Sequence, residues 1–585
     1  MVGAIGFEPT TLWSQTRCAT RLRYTPMQAF YPHISMRLEI CSFVHDPWAI
    51  IHAFFRFIQR VSMQLSQANH QVSPPQIDIP KVYNAAFDLL HRHTERADKP
   101  AYIDALSGTQ LTYSQLQNQA QRFAQGLQTL GLQPEQRVLL CMHDGLQWPV
   151  AFLGCILAGV VPVAVNTLLT SQDYLYMLQD SRSRALLVSK ALWPVFAPVV
   201  EQCPLLQEIL SDAPDTCPGC VDIQTLIQSH PPLPNPAHTH ADDVCFWLYS
   251  SGSTGSPKGT VHLHSHVIHT AELYGRAVLG LQDNDVVFSA AKLFFAYGLG
   301  NALSFPLTVG ATTVLLGARP TPADVFKVLQ SHQPTVFYGV PTLFAGLLAH
   351  EARPASQQLN LRVCTSAGEA LPAEIGHKWQ AEYGVEILDG IGSTEMLHIF
   401  LSNQPGRVRY GTTGEAVPGY RLRLVNDDGA ECGVGELGEL QISGPSSALM
   451  YWNNREKTKH TFAGEWTRSG DKYSRDADGY YTYGGRSDDM LKVGGIYVSP
   501  FEVEASLMTH PAVLEAAVVG QADDEGLIKP KAYVVLKPGQ TADEAALKAH
   551  VKTQLAPYKY PRWISFLSEL PKTATGKIQR FKLRA

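Results

Sequence analysis

Short apolar runs alternate with longer segments of helical spacing from Val82 to about Arg421. The runs have the length of strands, and their near-continuous apolar character is typical of strands buried on both faces of a parallel sheet. The pattern therefore predicts an α/β domain of mixed, largely parallel sheets joined by crossover helices. The predicted strands are RVLLCM, ALLVS, CFWLYS, DVVFSA, TTVLL, TVFYG and LRVCTSA.

The pattern changes near Arg421. The stretch RLRLVNDDGAECGVGELGELQISG joins strand-like runs through an Asp-Gly turn signal, which predicts a smaller β-rich subdomain. Gly433, Gly435 and Gly438 satisfy the spacing G-x-G-x-x-G, but no helical pattern follows, so dinucleotide binding is not predicted there. Towards the C-terminus, AVLEAAVVG, KAYVVLKP and DEAALKAHVKTQL predict a small, separate α+β domain.

One apolar stretch approaches the length of a membrane span. WPVAFLGCILAGVVPVAV, residues 148–165, has 18 uncharged residues. Pro149, Gly154, Gly159 and Pro162 divide it into a helix, a turn and a strand-like end. We therefore predict a buried helix–strand pair and no transmembrane helix.

The first 62 residues differ in texture from the rest of the chain. They contain six arginines and no lysine, whereas the first lysine in the sequence is Lys81. No secretory signal pattern is present, and only residues 46–60 have the spacing of an amphipathic helix. Our hypothesis is that residues 1–62 are a non-native or disordered leader and that the native protein begins at Met63.

The composition excludes some classes of function. A formal net charge of −5 without any Lys/Arg-rich run argues against general nucleic-acid binding, which needs a basic surface. Ten cysteines at irregular spacing in a long chain are typical of reduced thiols, which predicts a cytoplasmic setting. These features favour small-molecule chemistry.

Two groups of cysteine or histidine residues could bind a metal, but the sequence favours a structural role for each. Cys217 and Cys220 form a C-x-x-C pair with Cys203 upstream, but no fourth ligand has suitable spacing, and the surroundings are typical of a surface turn. The stretch HLHSHVIH has no acidic or cysteine partner nearby, so a packed or solvated role is favoured over zinc binding. Its histidines are His262, His264, His266 and His269.

A glycine-rich stretch, YSSGSTGSPKGT at residues 249–260, follows the predicted strand VCFWLYS. Glycine allows backbone N–H groups to approach an anion closely, and Ser and Thr add donors. Lys258 follows Pro257 rather than a glycine, so this is not the phosphate loop of nucleotide triphosphatases. The sequence nevertheless predicts a phosphate site at this strand end. The candidate residues are Ser250, Ser251, Gly252, Ser253, Thr254, Gly255 and Lys258.

Four further motifs follow in order. They are SAGEALP (366–372), DGIGSTE (389–395), a long Gly- and Asp-rich stretch (467–495) and PKTATGKIQR (571–580). Together with the glycine-rich stretch they closely resemble the acyl-adenylate-forming (AMP-binding) superfamily, which includes acyl- and aryl-CoA synthetases, luciferases and the adenylation domains of peptide synthetases. The resemblance covers the chain from about Val82 to the end.

The resemblance implies that the glycine-rich loop holds the β- and γ-phosphates of ATP while a carboxylate attacks the α-phosphorus. Lys258 and Mg²⁺, with Thr254 and Glu395 as metal ligands, would neutralise the departing pyrophosphate. Lys577 would bridge the substrate carboxylate and the α-phosphate, and Thr394 is a further catalytic candidate.

The nucleoside site implied by the resemblance draws on the three middle motifs. Asp471 would accept both ribose hydroxyls, and Arg486 would add a ribose contact. Many relatives have an aromatic residue at the position of Ile391, so stacking on adenine is expected to be weaker here or replaced by an apolar contact. The candidates are Gly368, Glu369, Ala370, Asp389, Gly390, Ile391, Gly392, Ser393, Thr394, Asp471, Arg486 and Lys577.

Superfamily members rotate a small C-terminal domain between two half-reactions. The resemblance places the hinge at Asp488 and implies that Gly494 and Gly495 let the pantetheine arm of coenzyme A pass. The implied division is an N-terminal AMP-binding domain over 63–487 and a mobile C-terminal domain with the catalytic lysine over 488–585.

The acid site resembles that of the benzoate-CoA ligase family, including hydroxybenzoate ligases. This resemblance rests on residues 292–315 with the motif GIGSTEMLHIF. Either a tyrosine or a histidine there offers a hydrogen bond to a ring substituent. Core packing is the alternative for Phe294 and Phe295. The implied aryl-pocket residues are Ala296, Tyr297, Phe305, His398 and Ile399.

The sequence thus predicts a cytoplasmic aryl-CoA ligase that uses ATP, Mg²⁺ and coenzyme A and releases AMP and pyrophosphate. Its expected partners are small molecules, not nucleic acid or membrane, and a homodimer is left open. One alternative is an adenylating enzyme that loads a carrier protein. The other is a non-catalytic adenylate-binding regulatory protein, which would not need Lys258, Glu395, Asp471 and Lys577 together.

Overall fold

The structure is a computed structural model that describes residues 63–252, 255–487, 489–493, 496–524, 527–555, 558–572 and 578–584. Residues from Met63 to the end of the chain form one compact unit. The leader proposed for residues 1–62 lies outside the described residues.

An eight-stranded sheet contains the strand that precedes the glycine-rich loop. Five neighbouring strand pairs are parallel, and the last two strands on the loop side are antiparallel. The central strands are buried along their whole length, as their apolar sequences predict. In spatial order the strands are Met450–Tyr451, Gly255–Leu263, Val244–Gly252, Val161–Ala164, Arg137–Cys141, Ala185–Val188, Glu208–Ser211 and Val221–Asp222.

A nine-stranded sheet carries the motifs SAGEALP and DGIGSTE. Its six central strands are parallel, and antiparallel strands close both edges. The two motifs begin at the carboxyl ends of neighbouring strands, where α/β proteins place ligands. In spatial order the strands are Glu415–Ala416, Ile399–Ser402, Ile387–Gly392, Val363–Ser366, Val336–Gly339, Val286–Ser289, Thr312–Leu315, Pro100–Asp104 and Gln110–Thr112.

Helices connect and cover these sheets. Several begin at a threonine whose hydroxyl accepts a backbone N–H of the first turn, as at Thr112, Thr170 and Thr321. The α-helices of this region are Ala85–His91, Tyr113–Thr129, Gln147–Leu157, Ser171–Ser181, Trp193–Phe196, Ile223–Ser229, His264–Thr270, Ala296–Leu299, Phe305–Val309, Pro322–His332, Pro341–Ala349 and Ala373–Tyr383. Short 3₁₀ turns lie at Thr94–Arg96, Lys190–Leu192, Val200–Gln202 and Ser356–Gln358.

Two π-helical turns, Ala271–Arg276 and Gly300–Ser304, extend α-helices of this region. The π-helix is rare and often marks a functional site. Both turns are packed around His398: the ring of Tyr274 lies 5.4 Å from the His398 ring, and Asn301 hydrogen-bonds the His398 imidazole.

The 18-residue apolar stretch forms the predicted helix–strand pair. Helix Gln147–Leu157 is followed by strand Val161–Ala164, and both are almost wholly buried. Among the described residues, no helix is long and apolar enough to cross a membrane.

The β-rich subdomain and the C-terminal α+β region are also as predicted. Arg421–Val425, Gly438–Ser443, Trp466–Arg475 and Phe462–Ala463 form a sheet that Tyr481–Arg486 joins through Trp466–Arg475. The remaining elements are the strand pairs Gln67–Asn69 with Gln76–Asp78 and Leu491–Val493 with Ile496–Val498, the sheet Val513–Ala522, Ile528–Leu536 and Trp563–Phe566, the helices Arg455–Thr461, Pro500–Met508 and Glu544–Gln554, and a 3₁₀ turn at Arg580–Leu583.

Candidate active site

The glycine-rich loop joins two antiparallel strands, Val244–Gly252 and Gly255–Leu263, rather than a strand and a helix. The register pairs Ser250 with Lys258, so the two candidate phosphate-binding residues stand side by side across the hairpin. Ser253 and Thr254 lie outside the described residues, and for the predicted phosphate loop the structure describes the side chains of Ser250 and Lys258.

Glu395 lies beside this hairpin. Its Oε1 accepts hydrogen bonds from the Tyr451 hydroxyl at 2.7 Å and from the Ser250 hydroxyl at 3.2 Å. Its Oε2 has no hydrogen-bond partner among the described residues. A carboxylate with one oxygen held and the other open fits a hard divalent cation such as Mg²⁺.

Lys258 is placed over an aromatic ring. Its Nζ lies 4.5 Å from the centre of the Tyr451 ring, within the range of a cation–π interaction. Burial lowers the pKa of Lys258 from its ordinary value; Glu395 opposes that change, while the nearby Lys457 and Arg486 reinforce it. Lys258 thus lies near two further cations, Lys457 and Arg486, which is an arrangement suited to a polyanion.

The histidine-rich stretch has the packed role that the sequence favoured. His262, His264 and His266 are buried, and burial lowers the pKa of His262 to about 4. The neutral imidazole of His262 donates from Nε2 to the backbone oxygen of Thr394, 2.8 Å away. This bond ties the loop ending in Glu395 to the strand that follows the glycine-rich loop. The described residues contain no cluster of three or more metal-ligand side chains.

Asp471 and Arg486 lie opposite each other on neighbouring antiparallel strands. Arg486 Nη1 is 3.4 Å from Asp471 Oδ1 and 3.2 Å from the Ser469 backbone oxygen. Gly470, with φ +74°, forms the bend between Ser469 and Asp471, and a Cβ there would come within 3.0 Å of the Arg486 guanidinium. The bend brings the two predicted ribose-binding residues together, and Asp471 is 8% exposed.

The predicted adenine-binding residues lie at two neighbouring strand ends. Ser366 and Asp389 are paired in register and both are buried. Ser366 Oγ and Asp389 Oδ1 have no hydrogen-bond partner among the described residues, and burial raises the pKa of Asp389 well above its usual range. Two unpartnered buried polar atoms fit a polar heterocycle. Ile391 packs against the apolar core beside them, and its contact with adenine stays a prediction.

Backbone conformation and close packing require glycine at several positions of these two loops. Gly368 has φ +97°, a left-handed conformation that favours glycine. A Cβ on Gly392 would lie 2.6 Å from the His398 backbone oxygen, and one on Gly390 would lie 3.1 Å from Ile399. Glu369, Ala370, Ser393 and Thr394 lie on the same two loops and are partly exposed.

The predicted aryl-pocket residues are brought together around His398. Phe305 packs edge-on against the His398 ring at 4.4 Å, and Tyr297 lies 5.6 Å away. Phe305, His398 and Ile399 are buried, whereas Ala296 and Tyr297 are partly exposed. The cluster therefore has a buried side formed by Phe305, His398 and Ile399 and a partly exposed side formed by Ala296 and Tyr297.

His398 presents one bare nitrogen. Burial lowers its pKa to about 3, so the ring is neutral. Nε2 donates to the Tyr297 backbone oxygen and to Asn301 Oδ1, each at 3.2 Å. Nδ1 therefore has no proton, and it has no partner among the described residues. The Tyr297 hydroxyl, by contrast, is already bonded to Thr365 Oγ1 at 2.5 Å. Of the two predicted groups for a ring substituent, His398 is the one with a buried ring nitrogen that has no hydrogen-bond partner among the described residues.

The sequence allows two roles for Phe294 and Phe295, in the aryl pocket or in the hydrophobic core. Phe294 is buried in the main hydrophobic core, and the Phe295 ring packs on it at 4.5 Å. Core packing accounts for Phe294, while Phe295 is partly exposed at the core's edge.

The C-terminal region contacts the nucleotide loop. The backbone N–H of Ile578 donates to Glu369 Oε1 at 3.1 Å. Arg580, two residues further on, forms a two-pronged ion pair with the buried Glu504, at 2.7 and 2.9 Å. Lys577 lies outside the described residues, as do Asp488, Gly494 and Gly495, but its chain neighbour Ile578 is seated on the loop that borders the predicted adenine site.

Sequence reasoning missed Tyr451 and Asn301. Tyr451 contacts Glu395 and Lys258, which are distant in the sequence, and the local stretch MYWNN has no spacing that indicates chemistry. Asn301 reaches His398 from a π-helical turn, which no sequence period indicates. Both residues are found only from the tertiary structure.

Comparison with known families agrees with this site. Residues 89–452 match the family model described as AMP-binding enzyme, and residues 502–577 match that of the AMP-binding enzyme C-terminal domain. Fold and site together define an adenylate-forming enzyme of the acyl-CoA synthetase fold. The chain belongs to the AMP-binding enzyme family, as the sequence motifs predicted.

Three proteins illustrate what this chain is similar to within the family. The benzoate–CoA ligase of Thauera aromatica is 60% identical over 528 residues, covering 89% of this chain and 99% of that protein. The 4-hydroxybenzoate–CoA/benzoate–CoA ligase of Rhodopseudomonas palustris is 49% identical, covering 86% of this chain and 94% of that protein. The crystal structure of a benzoate CoA ligase from Burkholderia xenovorans LB400 has a TM-score of 0.82 and 54% identity, covering 86% of this chain and 100% of that one.

Proposed function

We propose that this protein is an AMP-forming acid–thiol ligase that converts benzoate or a hydroxybenzoate to its CoA thioester through an aryl-adenylate. The observation that carries the proposal is the arrangement of Lys258, Glu395 and Ser250 beside a pocket built around His398 and Phe305. The relatives named benzoate–CoA ligase, at 60% and 49% identity over most of the chain, support the same activity.

In the first half-reaction a carboxylate oxygen of the acid attacks the α-phosphorus of ATP. A new P–O bond forms, the bond to the β-phosphate oxygen breaks, and pyrophosphate leaves. Lys258 neutralises the charge that develops on pyrophosphate, and Lys577 orients the carboxylate against the α-phosphate. Mg²⁺, held by Glu395 and Thr254, supplies further charge neutralisation when bound.

Nucleotide binding uses the loops at the two neighbouring strand ends. Asp471 accepts hydrogen bonds from the ribose hydroxyls, since its carboxylate lies beside Arg486 and is otherwise largely shielded from solvent. Adenine lies between the loop of Gly368 to Ala370 and the strand end of Asp389 to Gly392, and the unpartnered Ser366 hydroxyl and Asp389 carboxyl there supply hydrogen-bonding groups.

In the second half-reaction the CoA sulfur attacks the carbonyl carbon of the aryl-adenylate. A C–S bond forms, the C–O bond to the phosphate breaks, and AMP leaves. The proposed division into residues 63–487 and 488–585, with a hinge at Asp488, moves Lys577 away between the steps. Gly494 and Gly495 then admit the pantetheine arm.

The acid binds with its ring against Phe305, Ile399 and Ala296. His398 Nδ1 is a bare acceptor in that pocket, so a hydroxyl on the ring gains a hydrogen bond there and benzoate leaves the nitrogen unbonded or bonded to water. The proposed location is the cytoplasm, where ATP and CoA are supplied. A homodimer is the assembly to be tested by light scattering.

The test is CoA-dependent AMP release by the chain beginning at Met63, compared with the full 585-residue chain. Benzoate, the three hydroxybenzoates, aminobenzoates, cinnamates and medium-chain fatty acids are the acids to compare. Turnover confined to benzoates is expected. AMP release that does not depend on CoA would favour loading of a carrier protein, and no release with any acid would refute the proposal in favour of a non-catalytic adenylate-binding protein.

A further inference from the structure

Tyr451 contacts two of the proposed reacting groups at once. Its hydroxyl donates to Glu395 Oε1 at 2.7 Å, and its ring face carries Lys258 Nζ at 4.5 Å from the ring centre. Glu395 is the proposed metal ligand and Lys258 the proposed pyrophosphate ligand. Tyr451 thus joins the two groups through one side chain.

The Tyr451 backbone is fixed on both sides. On one side it pairs with Thr260 of the strand that follows the glycine-rich loop, and the next residue, Trp452, donates to the Gly259 backbone oxygen at 2.7 Å. On the other side the Thr458 hydroxyl lies 3.1 Å from the Tyr451 N–H and 3.2 Å from its backbone oxygen. The side chain is 3% exposed.

The same short segment also holds the Glu395 backbone. The Ala448 N–H donates to the Glu395 backbone oxygen at 2.7 Å. Residues 448–452 therefore join the loop that ends in Glu395 to the strand that carries Lys258. Tyr451 is the member of this segment whose side chain reaches both functional groups.

The hydrogen bonds to Glu395 have a directional consequence. Tyr451 and Ser250 both donate to Oε1, and Oε2 has no hydrogen-bond partner among the described residues. A carboxylate held by one oxygen presents the other in a fixed direction.

We infer that Tyr451 is a positioning residue for adenylation: its hydroxyl orients Glu395 towards the metal, and its ring holds the Lys258 ammonium beside the phosphate loop until ATP arrives. The kinetic part of this inference rests on the proposed function. The binding part does not, because it concerns only ATP and Mg²⁺.

Two substitutions separate the two contacts. Tyr451→Phe removes the hydroxyl and keeps the ring, whereas Tyr451→Leu removes both. Tyr113→Phe is the matched control, since Tyr113 is also 3% exposed and its hydroxyl makes a 2.7 Å bond, to the Ala311 backbone oxygen, away from the site.

The first measurement is equilibrium binding of ATP to the full chain, by calorimetry without acid, across Mg²⁺ concentrations and in excess EDTA. For Tyr451→Phe we expect the Mg²⁺-dependent gain in ATP affinity to fall about tenfold, the size of one lost hydrogen bond to a charged group, with metal-free affinity unchanged. Tyr451→Leu should also lower the metal-free affinity, by about threefold. Tyr113→Phe should match the wild type in both.

The second measurement separates the half-reactions. Tyr451→Phe should raise the Mg²⁺ concentration needed for aryl-adenylate formation about tenfold while thioester formation from supplied aryl-adenylate keeps its wild-type rate. Wild-type Mg²⁺ dependence in Tyr451→Phe would overturn the inference. Equal losses in metal-free ATP binding and in both half-reactions would also overturn it, because they indicate a general loss of structure. Absence of adenylation in the wild type would refute the proposed function and leave the binding measurement decisive for Tyr451.

Discussion

Mild acid should destabilise this protein through two histidines, the buried His264 and the partly exposed His269. Burial lowers the pKa of each to about 4, from an ordinary value of 6.5. His264 Nδ1 also accepts the Ala85 N–H at 3.1 Å, a bond that a proton on that nitrogen would remove. Below pH 6.5 the unfolded chain binds protons that the folded chain cannot, so the free energy of unfolding falls as the pH falls from 6.5 towards 4.

The magnitude follows from the two pKa values. Lowering the pH from 7.5 to 5.5 should reduce the free energy of unfolding by about 1.3 kcal/mol for each histidine, or about 2.6 kcal/mol for both. Asp243, which lies near His264, opposes part of the shift and is already included in that pKa.

The assay is urea unfolding at pH 7.5 and 5.5, followed by tryptophan fluorescence, which reports on the domain through buried side chains such as Trp247 and Trp148. His264→Gln keeps an acceptor for Ala85 and should lose about 1.3 kcal/mol less than the wild type between the two pH values. His240→Gln is the control, because the His240 side chain is 41% exposed.

An identical pH dependence in His264→Gln and the wild type would refute the reasoning. It would mean that the folded chain protonates His264 as readily as the unfolded chain does. If His240→Gln reduced the loss of unfolding free energy between pH 7.5 and 5.5 by a similar amount, an exposed histidine would contribute as much to acid sensitivity as a buried one.

Three further predictions concern the site. Lys577→Ala should lower the rate of aryl-adenylate formation about 100-fold or more and retain thioester formation from supplied aryl-adenylate. Pyrophosphate exchange measures the first step and thioester absorbance the second, with Lys582→Ala as the control. Unchanged adenylation would contradict the role of Lys577. Asp471→Asn should raise the KM for ATP by about 10- to 100-fold, because a charged acceptor for the ribose hydroxyls is lost. Asp478→Asn, on an exposed turn, should leave the KM for ATP unchanged. Equal KM values in the two variants would contradict the role of Asp471 in ribose binding. Gly300→Ala would place a Cβ 2.3 Å from His398 Cδ2 and should lower kcat/KM for the aromatic acid with ATP binding intact. The control is Gly346→Ala, where the closest contact of the added Cβ is 3.3 Å and the KM for the acid should not change. An equal effect of the two variants would argue against His398 as a pocket wall.

The sheets were predictable because their strands are buried on both faces. Val161–Ala164, Ala185–Val188 and Val363–Ser366 have no exposed residue. The first two are wholly apolar, and the third ends in two small polar residues, Thr365 and Ser366. The α/β class and the β-rich change near Arg421 followed from such local patterns.

The pairing around the glycine-rich loop was not predictable in the same way. Its two strands are antiparallel, and the second continues into the helix His264–Thr270. Glycine and serine at the turn fit either a hairpin or a strand-to-helix loop, so the local sequence does not distinguish them.

The site divides along the same line. Lys258, Glu395 and Asp471 lie in motifs whose order resembles a family, and the structure places Lys258 and Glu395 together beside the ring of Tyr451. Tyr451 itself and Asn301 act through contacts with residues far along the chain, and only the folded arrangement identifies them.

The π-helical turns beside His398 are expected to tolerate a change in chain length that an α-helix would not. A π-turn spaces its hydrogen bonds one residue wider than an α-turn, so deletion of a single residue within Gly300–Ser304 would be absorbed by restoring α-helical pairing. The flanking helices would keep their places, while the side chains facing His398 would be replaced by their neighbours. We therefore expect a one-residue deletion there to change which aromatic acid is accepted while the fold is kept, at a position where a side chain on Gly300 would meet the His398 ring.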